Sequence, residues 1–221
     1  MPLKTYRNLN GKRKAAVLKI SYEEFTLNSY RTASVTNIVK RLTLAKGSFY
    51  RYFRNKLELY TYLVERAHEL RLKQMGDLLS NDGLDFFEML RENYRNKIVF
   101  DIHYPLESIL LFNLYQENDA GEVQKLRKKI IGEEIIFIKE LILRFQKKGD
   151  LNPYVDPEIA AQFIFQTQTG IYDYLGFFRG IDFKENIRSG IRIFNLSEGE
   201  IMEVADQFLM IIMLGLEKKQ V

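Results

Sequence analysis

The stretch 34–56, SVTNIVKRLTLAKGSFYRYFRNK, constrains this chain more than any other. Ser34 has the chemistry of an N-cap, and Val35, Ile38, Val39 and Leu42 follow it at helical spacing. The pattern breaks at Thr43-Leu44. A second short run then sets Phe49 and Phe53 four apart, on one face of a helix. At about 100° per residue, Gly47, Ser48, Tyr50 and Arg51 point the other way. One face is therefore core. The other is small, hydroxylated, aromatic and cationic, which suits a helix lying in a DNA major groove. Asn55-Lys56-Leu57-Glu58 has the form of a capping box opening a long helix.

The charge is distributed in the same sense. Residues 1–56 hold thirteen Lys/Arg and two acids, a net +11, while the remainder carries −7. A basic head on an acidic body points to a polyanion as the head's partner. A membrane surface gives a similar signal, but the basic segment lacks the continuous apolar stripe that a membrane helix needs. No apolar run approaches the roughly 20 residues of a membrane span, so no membrane contact is expected. The start of the chain is basic without an apolar core, so no secretory signal is expected. The absence of cysteine excludes disulfides and fits a reducing cytoplasm.

Ala33-Ser34-Val35, Ile38, Lys46-Gly47-Ser48-Phe49-Tyr50, Tyr52-Phe53 and Lys56 stand in an order and spacing that resembles the TetR family of bacterial transcriptional regulators. The resemblance is specific over residues 12–65, and elsewhere rests on length and helical character. It implies an all-α chain with a three-helix helix-turn-helix DNA-binding head at 11–56. A connecting helix at 56–80 would lead into a larger bundle at 57–221 that binds a ligand and dimerises. Carried over residue by residue, it implies a DNA-binding set of Ser34, Thr36, Lys46, Gly47, Ser48, Tyr50, Arg51, Tyr52 and Lys56. Ser48, Tyr50 and Arg51 are the candidates for base edges. Ser34, Thr36, Lys46, Tyr52 and Lys56 are the candidates for phosphates. The implied function is a cytoplasmic, homodimeric DNA-binding regulator without cofactor, a repressor released from double-stranded operator DNA by a small apolar effector. The alternative is a helical ligand carrier or scaffold whose basic head binds RNA or anionic lipid.

Three residues depart from the family's pattern. Thr43 stands where the turn usually has glycine. A β-branched residue is strained at positive φ, so a different backbone is expected there. Ala45 replaces the usual Ser or Thr cap of the second short helix, unless Thr43 caps it two residues early. Leu57 follows Lys56 where an acid is common.

About nine helices are expected: 11–28, 34–42, 45–53, 56–80, 84–100, 105–116, 121–148, 157–178 and 197–218. Residues 1–10 read as a frayed arm, and 179–196 as a connection with a short helix near 187–194. Asp156 and Ser197 have the character of N-caps, and Pro157 of an N1 residue. Residues 77–83 include the break Asn81-Asp82-Gly83.

No phosphate-binding glycine loop or nucleophile elbow occurs, and neither His68 nor His103 has a second metal ligand at suitable spacing, so neither catalysis nor a metal is expected. The body is rich in aromatic residues, most of which must be core. The resemblance implies an apolar cavity among the helices at 56–80, 84–100, 121–148 and 157–178. The candidates for its lining are Phe87, Tyr94, His103, Phe112, Phe137, Phe163, Gln166 and Tyr172. Gln166 to Thr169 are four consecutive polar residues that cover every side of a helix, so at least one of them is expected to face inward. The helices at 157–178 and 197–218 carry more apolar surface than one buried face requires. The resemblance implies that they pair with a second copy.

Overall fold

The computed structural model describes residues 2–76, 83–117 and 121–216, except the side chain of Lys46. Among these, eleven helices carry the fold: α1 Lys4–Arg7, α2 Gly11–Leu27, α3 Val35–Arg41, α4 Lys46–Phe49, α5 Lys56–Met75, α6 Phe86–His103, α7 Pro105–Gln116, α8 Gln124–Lys148, α9 Pro157–Phe178, α10 Phe183–Arg188 and α11 Glu198–Leu216. The all-α reading holds. The expected ends of the helices at 56–80 and 197–218, and the break at 81–82, lie outside the described residues.

The chain forms two compact units that it enters alternately. One comprises Met1–Leu70 and Tyr104–Arg127, the other Arg71–His103 and Lys128–Val221. In the first, Val17, Phe25, Ile38, Val39, Phe49, Phe53, Leu59 and Leu63 are buried core. Backbone groups at helix ends find side-chain partners, as buried polar groups must. The Asn113 side-chain amide of α7 donates to Thr26 O at 2.9 Å, and Thr26 Oγ1 donates to Leu106 O at 3.1 Å. Tyr22 Oη, deep in the unit, donates to Leu63 O at 3.0 Å and ties α2 to α5.

In the second unit α6 packs along α11. Their rims are joined by Arg91, which donates to both oxygens of Asp206 at 2.7 and 2.9 Å, and by Arg95 to Glu198 at 3.1 Å. Phe86 meets Phe145 edge to face at 5.6 Å. Asp156 caps α9 through the N–H groups of Glu158 and Ile159, with Pro157 at N1. Ser197 and Glu200 form a reciprocal capping box on α11.

Two short helices exceed the expected nine. Residues 4–7 are not a frayed arm. Tyr6 is 2% exposed, its ring lies 5.0 Å from Phe53 and 5.6 Å from Tyr62, and Leu3 N donates to Tyr52 O at 2.9 Å. A four-residue helix has no periodicity to read, and tertiary packing of one aromatic ring fixes it. The short helix in the late connection is 183–188 rather than 187–194. Asp182 caps it, accepting from Glu185 N at 2.9 Å.

The turn after α3 overturns a third expectation. Thr43 has φ +52°, the backbone that glycine would have. Thr43 N donates to Lys40 O at 3.0 Å and Leu44 N to Val39 O at 2.9 Å, the paired bonds of a Schellman ending. These two bonds and the buried Leu42 hold the left-handed conformation against the β-branch. Thr43 Oγ1 turns to Leu42 O at 2.7 Å and so does not cap α4. The left-handed strain is about 1–2 kcal/mol. Glycine removes it but adds about 0.5–1 kcal/mol of unfolded-chain entropy. Thr43→Gly is therefore expected to raise the urea midpoint by up to about 1 kcal/mol of stability at unchanged slope. A lowered midpoint would show that the threonine side chain stabilises the turn.

Candidate nucleic-acid interface

The head presents α3 and α4 by fixing the backbone on either side of them. Ser34 Oγ caps α3 by accepting from Asn37 N at 3.2 Å. Ser34's own N–H donates to Glu24 Oε1 at 2.8 Å, and this carboxylate is only 6% exposed. Before α3, Lys56 Nζ donates to Arg31 O and Ala33 O, each at 3.2 Å, and lies 4.6 Å from the centre of the Tyr30 ring. After α3, Arg13 Nη2 donates to Leu42 O at 3.0 Å. Arg41 pairs with Glu23 on the outside. Helix α5 begins with Asn55 Oδ1 accepting from Glu58 N at 2.8 Å, while Glu58 Oε2 accepts from Arg54 N at 2.6 Å. Partial burial pushes the Glu58 carboxyl up, but the Arg54 N–H and nearby positive charge hold it below the usual carboxylate range.

Helix α4 is regular only over four residues. Tyr52 N to Phe49 O at 2.8 Å and Phe53 N to Phe49 O at 3.0 Å continue it as turns. Ala45 supplies no side-chain cap. Phe49 and Phe53 are buried, as their spacing demands, and Gly47, Tyr50 and Arg51 are exposed on the opposite side. Tyr50 meets Phe49 edge to face at 5.3 Å and is still 52% exposed, large for an aromatic ring. A Cβ on Gly47 would meet nothing within 4 Å, so nothing in the described chain itself requires glycine there. Ser48 and Tyr52 are half-buried, and Thr36 is exposed on the first turn of α3. Tyr52 also carries the carbonyl that receives Leu3 N. The Lys46 side chain lies outside the described residues. Lys56 is already engaged within the head.

Glu24 and Arg13, which anchor α3 from both ends, went unremarked as anchors in the sequence. The signal for Glu24 is its place on the buried stripe of α2, seven residues after Val17 and three after Ser21. An acid there must have a partner. Arg13 at the start of α2 reads in sequence as uncompensated charge against the helix dipole, and its guanidinium is instead used by Leu42.

The residues named for a body cavity fall into different settings. Tyr94 and Tyr172 are buried, Phe87 and Phe137 half-buried, and Phe163, Gln166 and His103 exposed. Phe112 is half-buried and belongs to the other unit. His103 Nδ1 stands 2.8 Å from Val99 O. Of the four polar residues in α9, Gln168 and Thr169 are the buried pair. Tyr172 Oη donates to Asp101, and Lys97 Nζ lies 3.3 Å from Asp101 Oδ2 and 3.2 Å from Tyr172 Oη. Burial pushes the Lys97 amine down, and Asp101 opposes that shift. Tyr94, one turn earlier on α6, has a buried hydroxyl with no hydrogen-bond partner. Among the described residues no cluster of acids or histidines is arranged to hold a metal, and no helix is long and apolar enough to cross a membrane.

Known proteins share this arrangement. Residues 17–63 match the family described as bacterial regulatory proteins, tetR family. A chain of Bacillus subtilis strain 168, the uncharacterised HTH-type transcriptional regulator YhgD, is 26% identical over 152 residues, covering 67% of this chain and 76% of that one. A TetR family transcriptional regulator from Chloroflexus aurantiacus J-10-FL superimposes with a TM-score of 0.79 and 25% identity, over 99% of this chain and 100% of that one. The regulator AibR, solved with isovaleryl coenzyme A and operator DNA, shares the fold with a TM-score of 0.64 at 18% identity, over 91% of this chain and 97% of that one. With a buried-core head that exposes Gly47, Tyr50 and Arg51, this chain carries the DNA-binding domain of the tetR family at residues 17–63 and shares, along its length, the fold of TetR family transcriptional regulators.

Proposed function

We propose that the chain is a homodimeric repressor whose two heads grip operator DNA and which a small, largely apolar effector releases. The observation that carries the DNA reading is the exposed side of the α4 segment. Arg51 projects from it without a partner acid among the described residues, beside Tyr50 and the small Gly47. A guanidinium there reads a guanine edge by two parallel hydrogen bonds. Ser48 joins it at the base edges. Thr36, Ser34, Tyr52, Lys46 and Lys56 meet the backbone, Lys56 while also bracing the loop before α3.

Arg51→Ala is expected to weaken binding to the DNA upstream of its own gene by roughly 1–3 kcal/mol and to relax its preference over competitor DNA. Lys46→Ala is expected to weaken binding to all DNA alike and to flatten the salt dependence by about one unit. Fluorescence anisotropy across a salt series measures both. Full operator preference in Arg51→Ala would refute the assignment of the reading face.

The case for a dimer lies in the second unit. Ile159, Phe163 and Phe177 on α9 are 70%, 53% and 83% exposed, and Met210, Ile211 and Leu214 on α11 are 51%, 62% and 66% exposed. Isolated exposed apolar residues are ordinary, but two helices with repeated large ones form a face that water disfavours. A second copy covers it, and a two-fold pair carries two heads to successive turns of the groove, about 34–36 Å apart. In sedimentation analysis the pair Phe177→Glu and Ile211→Glu should give a helical monomer. Retention of the dimer would place the interface elsewhere.

The effector reading rests on the interior of the second unit, where the unpartnered Tyr94 hydroxyl lies one turn from the Lys97–Asp101–Tyr172 cluster. An unsatisfied buried hydroxyl is destabilising by about 1–3 kcal/mol, and a ligand acceptor would remove that penalty. AibR's coenzyme A thioester makes an acyl group a reasonable effector class. Helix α5 carries the response, since it passes from one unit to the other at Leu70. Its last turn is held by Arg71 to Glu134 of α8 and by Asn96 of α6, which donates to Met75 O at 3.4 Å. An effector shifts the heads only by its differential affinity for the two states, and release needs several kcal/mol. Phe137→Trp, which fills the interior, should retain operator binding and lose release by short-chain acyl thioesters and apolar acids. Unaltered release would move the effector site out of this bundle.

A further inference from the structure

A second site lies within the head, on the side formed by α1, the start of α2 and the middle of α5. A cavity of about 520 Å³ opens there. Arg7, Lys14 and Arg66 contribute three cations to its wall, Tyr62 and Leu18 contribute apolar surface, and none of the described lining residues is acidic. Glu107 acts electrostatically on Arg66 from outside the lining. Arg7 spends its Nε on Pro2 O at 2.9 Å, which fixes its side chain and leaves its terminal nitrogens available. Tyr6, which also lines the cavity, is 98% buried, with its hydroxyl lacking a hydrogen-bond partner of acceptable geometry although the Tyr62 phenol stands beside it. A buried phenol whose neighbour Tyr62 is poorly placed to accept from it, next to cations with no acid in the described lining, is an arrangement that one anion satisfies at once.

We propose that this cavity binds a phosphate group, with Arg66, Lys14 and Arg7 on its oxygens and Tyr6 Oη donating to it. A phosphate monoester carries about −1.5 to −2 charge near neutral pH, which suits several cations better than a carboxylate does. The volume falls within the roughly 300–1,000 Å³ of small-molecule sites and exceeds what a bare anion fills. The apolar wall at Tyr62 and Leu18 then takes the body of a small ester. The same chemistry would accept a phosphate of the DNA backbone. Occupancy fastens α1 to α5, and because Leu3 N holds Tyr52 O, it also braces the segment that follows the reading face.

Calorimetric titration of the full chain at low salt tests this with adenosine monophosphate, inorganic phosphate and adenosine. The monophosphate should bind once per chain, inorganic phosphate more weakly, and adenosine not at all. Arg66→Gln and Lys14→Gln should each weaken the monophosphate by roughly tenfold, as expected for loss of one charge-assisted bond. Tyr6→Phe should weaken it severalfold without lowering the melting temperature, because it removes an unsatisfied group. Lys73→Gln, at an exposed position of α5 away from the cavity, should change nothing. If Arg66→Gln unfolds, Lys14→Gln and Tyr6→Phe decide the matter. Displacement of the monophosphate by duplex DNA would identify the DNA backbone as the source of the phosphate, and coexistence would identify a free ester. Absence of binding by either phosphate probe, or equal affinity in all variants, overturns the proposal.

Discussion

A buried carboxylate holds the proposed reading surface of this protein in place. Glu24 sits in the core of the head and takes the N–H of Ser34, the residue that caps α3. Lys56 takes the carbonyls of Arg31 and Ala33 just upstream, and Arg13 takes that of Leu42 just downstream. The short helix between them has seven residues, too few to persist alone. Its direction is set by these charged groups from α2 and α5, each in a bond stronger than a neutral one. Removal of Glu24 would leave a backbone donor unsatisfied and free the entrance to α3. The exposed chemistry of Gly47, Tyr50 and Arg51 is useful only because this frame fixes where it points.

The second unit solves a different problem. Its α9 is apolar over most of its circumference but has a buried polar pair, Gln168 and Thr169, and Tyr172 bonded to Asp101. The outer stripe of the same helix is left to water in a single chain. A helix with both features is suited to two contacts, one with its own bundle and the proposed one outside it. That duality is why the dimer and the effector readings draw on neighbouring residues of one element without competing for them.

Much of this was legible in sequence. The bounds of α7 follow from Pro105 at N1, and Ser34, Asp156 and Ser197 cap as their chemistry requires. The two faces of the α4 segment follow from the four-residue spacing of Phe49 and Phe53. Three features were not legible, for separate reasons. Tyr6 fixes α1 through tertiary packing that no local pattern announces. Thr43 adopts a glycine backbone because two hydrogen bonds and a buried neighbour outweigh local preference. In α9, four polar residues in a row leave the helix phase undetermined, so that Gln166 reads as an inward candidate when Gln168 and Thr169 are the buried ones. The body's aromatic residues carry too little periodicity to separate lining from core.

The anchors preform the proposed reading surface before DNA arrives. Amide hydrogen exchange of the Ser34 N–H in the free protein measures this directly, because that amide lies outside the helical ladder and its bond to Glu24 is the one that protects it. A preformed frame gives exchange as slow as that of the core amides of α2, governed by unfolding of the head rather than local opening. Exchange near the rate of an unstructured chain, with α2 still protected, would contradict it.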